Sequence, residues 1–296
     1  MWSPLASASL VFLILYSILF IILSTLFILR KVPWISRWLV LLLHVLVRLA
    51  SQACGVSFGV IGYRNIDLLI AYYVLGAEGY FALVVCTARY LIAWQRNHWG
   101  YSWLEPADPT KERAGWGKRF QRLFRWRSDG APSNRWIMMV DWMLIAANAI
   151  IISGGSVSSA AYTDRDLTPS EVKSKLDAAN GMRAAGQAVF LAINTALLAC
   201  IAVTVQRPWY AHPTLLLLLI TWPFLMVRGI FGVLQAVIPD LNYFNSEVYD
   251  ANNLTQQFVT EETCMVTMME FISAAILTST FFATRPEPLR RQDSQL

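Results

Sequence analysis

Residues 6–29 read ASASLVFLILYSILFIILSTLFIL and are followed directly by Arg30 and Lys31. These 24 residues contain no charge, and about 20 apolar residues suffice for a helix to cross the hydrocarbon core of a bilayer. A cleaved signal peptide has a basic start and a shorter apolar stretch. Here the basic pair comes after the run, so the segment predicts an uncleaved helix whose beginning is translocated.

Six more stretches of the same kind follow at 38–61, 66–94, 136–154, 183–205, 214–237 and 258–283. The fold class predicted is an all-α membrane protein, a seven-transmembrane helix bundle with its N-terminus outside or lumenal and its C-terminus cytoplasmic. Lys and Arg should collect on the cytoplasmic side. They do so after the first span (Arg30, Lys31, Arg37), throughout 95–135 after the third, at Arg207 after the fifth, and in the tail at Arg285, Arg290 and Arg291. The opposite loops hold Arg64 alone, then acidic residues balancing Arg165, Lys173 and Lys175, then neither Lys nor Arg between Ile238 and Phe258. The endoplasmic reticulum and the plasma membrane both suit a multi-pass chain of this kind.

Composition agrees, with 56% hydrophobic and 15% charged residues, whereas a soluble domain has roughly 45–50% and 25%. The net charge of +5 sits beside apolar spans and argues for membrane orientation, not for a nucleic-acid partner. Cys54, Cys86, Cys200 and Cys264 are widely spaced inside or beside apolar segments and read as small buried residues. His44, His98 and His212 are the only three histidines and have no ligand spacing, so neither metal nor cofactor is expected. The last span has no lysine that could form a retinal Schiff base.

Three loop features follow from local patterns. Trp116, Phe120, Leu123, Phe124 and Arg127 recur at helical spacing among basic residues, which predicts an amphipathic helix at 115–127 on anionic lipid headgroups, or a dock for a partner protein. Thr168-Pro169-Ser170-Glu171 is a capping box with proline at the first helical position. Asn253-Leu254-Thr255 is a glycosylation sequon on the outer side. The end of the chain, 286–296, reads as a disordered cytoplasmic tail.

Function is sought in the polar residues inside the spans, because an ionisable group there is costly unless paired or hydrated. Arg48, Glu78, Asn194, Arg228 and Glu270 fall within a few turns of the midplane, with Arg89 and Asp141 nearer the cytoplasm. Within each helix the polar groups share a face: Asp141 with Asn148, Gln187 with Asn194, Thr221 with Arg228 and Gln235, and Thr263 with Glu270 are seven apart. Helices 2 to 7 thus turn polar stripes toward a common interior, while helix 1 lacks one and reads as a peripheral anchor. Two explanations stand: three structural ion pairs (Arg48–Glu78, Arg89–Asp141, Arg228–Glu270), or a polar, partly hydrated pocket. Trp222-Pro223 in mid-helix 6 adds a bend that gives a pocket volume.

The run Pro223-Phe224-Leu225-Met226-Val227-Arg228, with Glu270 in helix 7, resembles a group of uncharacterised fungal seven-helix membrane proteins. Such proteins often have an aromatic residue three positions after the arginine, here Phe231. Some members are linked to secondary-metabolite pathways, so the resemblance implies a lipophilic small-molecule substrate, a polyketide or terpenoid.

Three functions fit. A membrane-embedded enzyme without metal, a cyclase or epoxide-opening hydrolase, would use Glu270 or Glu78 as catalytic acid with Arg228 and Asp141, and Arg48, Asn148, Asn194 and Trp222 to bind substrate. A seven-helix receptor or sensor is the alternative: Arg89-Tyr90 is similar to the Asp-Arg-Tyr of G-protein-coupled receptors, although Ala88 replaces the acid and helix 7 lacks Asn-Pro-x-x-Tyr. A small-molecule transporter comes third, since no internal repeat is visible.

Overall fold

A computed structural model describes residues 3–34, 36–104, 136–163, 168–206, 212–250 and 253–283. The helix expected at 115–127 and the tail at 286–296 lie outside the described residues. Seven helices among those described are long and apolar enough to cross a membrane. They are α1 (Pro4–Ile28), α2 (Arg37–Ile61), α3 (Ile66–Trp99), α4 (Trp136–Thr163), α5 (Pro169–Gln206), α6 (Pro213–Val237) and α7 (Gln256–Ala283). The molecule is a seven-helix membrane bundle. The end that carries the α2–α3 and α6–α7 connections is called the outer end, after the side expected for it from the sequence.

Helix boundaries follow local chemistry. Ser3 Oγ accepts from Ala6 N (3.1 Å) and Pro4 occupies the first position of α1. The capping box forms, with Thr168 N donating to Glu171 Oε2 (2.8 Å). The helix it starts runs without interruption into the fifth span as one element of 38 residues, about 57 Å at 1.5 Å per residue. That is far longer than the ~30 Å hydrocarbon core, so several turns of α5 project from the outer end. Gly100, at φ 75°, ends α3 and donates its N–H to Arg96 O.

Burial is inverted relative to a water-soluble protein. Ile14 is 54% exposed and Ile21 63%, whereas Arg48 is 1%, Glu270 0% and Asn194 0%. Such a surface is stable only where the surroundings are as apolar as isoleucine. Each helix packs on the next, α1 closes back onto α7, and α3 is central, touching α2, α4, α5, α6 and α7.

Helix α1 is not the peripheral anchor expected from its lack of a polar stripe. It buries Leu5, Ser9, Phe12, Tyr16, Leu19, Leu23 and Leu26, a spacing of alternating four and three residues that forms a continuous packing seam. Tyr16 is fully buried and its ring meets Phe271 of α7 edge-on at 5.4 Å. The sequence hides this seam because its members other than Ser9 are apolar or aromatic, and the other faces of α1 are apolar too.

Candidate functional site

Two of the three expected ion pairs form as anticipated. Arg228 Nε lies 2.7 Å from Glu270 Oε1, and Arg89 Nη2 lies 2.7 Å from Asp141 Oδ2. The third does not. Arg48 pairs with Glu270, Nε to Oε2 at 2.9 Å, and Glu78 instead accepts from Asn148 Nδ2 at 2.7 Å. Arg48 and Glu270 meet over Gly79 of α3, where a Cβ would strike the Glu270 carboxylate and come within 3.0 Å of Arg48 Cδ. Glu78 is one residue earlier, about 100° around the helix, and so turns toward α4.

The result is a buried Arg48–Glu270–Arg228 triad, one carboxylate between two guanidinium groups, with exposures of 1%, 0% and 4%. Its formal charge is +1. Buried ion pairs recover their desolvation cost only with good geometry and further hydrogen bonds, and the aromatic residues around the triad supply part of that support. Arg228 lies over the ring of Tyr80 with its Cζ 5.2 Å from the centroid. The Tyr16 hydroxyl lies beside Arg48, and the His44 ring, wholly buried, stands 6.2 Å from that of Tyr16.

Above the triad, toward the outer end, is a cavity of about 40 Å³. Arg48 and Arg228 form its floor, Gln187, Gln235 and Glu262 its walls, and Tyr243 its outer side. Tyr243 is clamped in place. It stacks on Tyr73 (centroids 4.2 Å apart, planes at 14°), and the Arg183 guanidinium covers its ring at 4.3 Å. Arg183 Nη1 also donates to Asn242 Oδ1 (2.8 Å), which accepts from Phe244 N as well (3.1 Å), so the α6–α7 loop is tied down over the cavity.

Glu262 is 6% exposed, has the Tyr72 hydroxyl beside it, and forms no ion pair among the described residues. It shares a face with Glu270 because α7 contains a π-helical turn at Thr263–Thr267. In an unbroken α-helix residues eight apart point about 80° from each other. The extra residue of a π turn removes most of that offset.

Of the residues singled out from the sequence, Arg48, Arg228 and Glu270 come together at the cavity floor. Asp141 is held apart by Arg89, with side chains 25% and 36% exposed. Glu78 and Asn148 form their own pair between α3 and α4. Trp222 donates through Nε1 to the Asn194 backbone carbonyl (3.2 Å), joining α6 to α5 away from the cavity. Pro223 beside it is exposed and does not line the cavity, so it adds no volume there. Glu262, Arg183, Tyr72, Tyr73 and Tyr243 were not singled out. Glu262 stands at the edge of its apolar span eight residues before Glu270, and Arg183 opens the fifth span, which is the signal that could have marked both. His98 and His212 meet at the inner end with ring centroids 4.4 Å apart; no group of three or more metal-ligating side chains occurs among the described residues.

No known protein family, curated protein or solved structure matches the chain.

Proposed function

We propose that this chain is a membrane-embedded enzyme that acts on a lipophilic small molecule, with the cavity above the triad as its active site and Glu262 as the proton donor. The observation that carries this reading is Glu262 itself, a buried carboxyl with no ion-pair partner among the described residues, on the wall of a cavity floored by two guanidinium groups. Glu270 is held between two cations and serves as their anchor. The acid role moves eight residues along α7.

The chemistry is acid-assisted ring opening or cyclisation. The Glu262 carboxyl passes a proton to an epoxide oxygen, the C–O bond breaks with its electron pair going to that oxygen, and an internal alkene or a water takes up the cationic carbon. The proton then lost from the adduct returns to Glu262. A substrate of polyketide or terpenoid size exceeds the cavity and enters only when Tyr243 swings from its stack. Such a substrate, from a fungal secondary-metabolite pathway, is what the Pro-Phe-Leu-x-x-Arg resemblance implies. The membrane is the endoplasmic reticulum or the plasma membrane. A glycan at Asn253 would have to be added before folding, because its Nδ2 is directed at Gly59 O (3.4 Å).

The test is comparative metabolite analysis of cells that carry the native chain, its deletion, or Glu262→Gln. An intermediate accumulating equally in the deletion and the variant, with the variant present in membranes at normal level, supports the reading. Unchanged metabolites in both overturn it and favour a receptor.

A further inference from the structure

The triad leaves positive charge and hydrogen-bonding capacity unused where the cavity begins. Arg48 Nη2 and Arg228 Nη1 are buried and have no acceptor, although each guanidinium already contacts Glu270 through Nε. An unpaired donor buried in this way costs free energy unless something fills the position. The surrounding charges do not cancel the excess: the triad carries a formal surplus of one positive charge, and Glu262, protonated as the proposed donor, adds no negative charge. Space beside the arginines is the cavity itself, and it is kept by two glycines in its lining: a Cβ at Gly76 would crowd Arg48 Nη1 (3.3 Å), and one at Gly232 would crowd Arg228 Nη1 (3.0 Å) and strike Gln187 Oε1.

We infer that the cavity floor is an anion-binding subsite in which Arg48 and Arg228 seat the carboxylate of an amphipathic small-molecule ligand. A single negative charge matches the surplus of one, and a planar carboxylate matches the guanidinium fork. The volume of about 40 Å³ holds a carboxylate head but not a hydrocarbon skeleton, so the apolar part of the ligand extends past Tyr243. This assignment rests on the cavity being the site of the proposed reaction and names its substrate class, lipophilic carboxylic acids.

The experiment uses the full chain, purified in lipid nanodiscs, with hexanoate, hexan-1-ol and inorganic phosphate as probes. Binding is followed by the rise in Tm and by calorimetric titration. Hexanoate is expected to bind saturably and to raise Tm, hexan-1-ol to do neither, and phosphate to compete weakly. Arg228→Gln should weaken hexanoate binding by about tenfold or more, the loss of one charge-assisted hydrogen bond. Gly76→Ala, which brings a methyl group to about 3.3 Å from Arg48 Nη1 and leaves the contacts of both guanidinium groups with Glu270 in place, should weaken it while leaving the folded protein intact. Glu262→Gln should bind hexanoate as the native chain does even where it abolishes conversion, so the subsite and the acid succeed or fail separately. Equal responses to hexanoate and hexan-1-ol, no response to hexanoate, or tighter binding of phosphate would each overturn the carboxylate assignment.

Discussion

Glu270 lies so close to Gly79 that a Cβ on Gly79 and the Glu270 carboxylate cannot occupy their present positions together. The contact crosses from α7 to α3 at the point where Arg48 also passes. Any side chain at position 79 must therefore displace one member of the triad. Neither member has slack, since Glu270 is held from both sides.

Gly79→Ala is accordingly expected to destabilise the bundle by about 3–5 kcal/mol, the cost of breaking a buried pair. Gly181→Ala is the control. Position 181 is helical, and a methyl group added there would have nothing within 4 Å, so alanine should be neutral or stabilising by about 0.5–1 kcal/mol. Thermal unfolding of both variants in the same detergent checks the pair, and equal Tm values would contradict the steric argument.

The charge of the triad makes its members unequal. Arg48→Met leaves Arg228 and Glu270 as a neutral pair and should cost about 1–3 kcal/mol. Glu270→Gln leaves two guanidinium groups facing each other without a counter-charge and should cost about 3–5 kcal/mol or prevent folding. The measure is the monodisperse fraction and Tm of each variant. If Glu270→Gln proves the milder substitution, the triad is not held by its central carboxylate.

The two interior glutamates that form no ion pair among the described residues, Glu78 and Glu262, separate cleanly. Glu78 is bonded to Asn148 and does not line the cavity, so Glu78→Gln should lower Tm slightly and leave metabolite conversion within about twofold, a change of under 1 kcal/mol in the barrier. Glu262→Gln should leave Tm nearly unchanged, as no ion pair is lost, while conversion falls by about a hundredfold, within the range of general acid catalysis. The reverse pattern would return the acid role to Glu78.

Much of this architecture is legible in the sequence, for a reason specific to membranes. Lipid forces long helices across the membrane, so the rise per residue gives each polar group a depth. That is why Arg228 can be matched with Glu270 near the midplane and Arg89 with Asp141 nearer the cytoplasm. Two kinds of information are not local. Which helix faces which decides that Arg48 meets Glu270 across Gly79, and no spacing within α2 or α3 encodes that crossing. The π turn shifts the register within α7, so the periodic pattern points to Thr263 where the structure turns Glu262 inward. Helix α1 escapes a reading based on charge because its contribution is shape and the Tyr16 hydroxyl.

The π turn gives the last prediction. If Thr263–Thr267 accommodates one residue more than an α-helix would hold, deleting Cys264 should convert the turn to α-helix and leave both flanking faces where they are. Glu262 and Glu270 would then be seven apart, offset by only about 20°. The deletion should fold with nearly native Tm and keep a substantial part of the conversion that depends on Glu262. Deleting Ala275, in the regular part of the helix, has no such slack. It would turn the buried residues Leu277, Thr278 and Thr280 by about 100°, and the variant should fail to yield a monodisperse protein. Size-exclusion profiles and Tm of the two deletions, with Cys264→Ala as reference, decide the matter. If both deletions are equally damaging, the π turn is not the element that sets the register of Glu262.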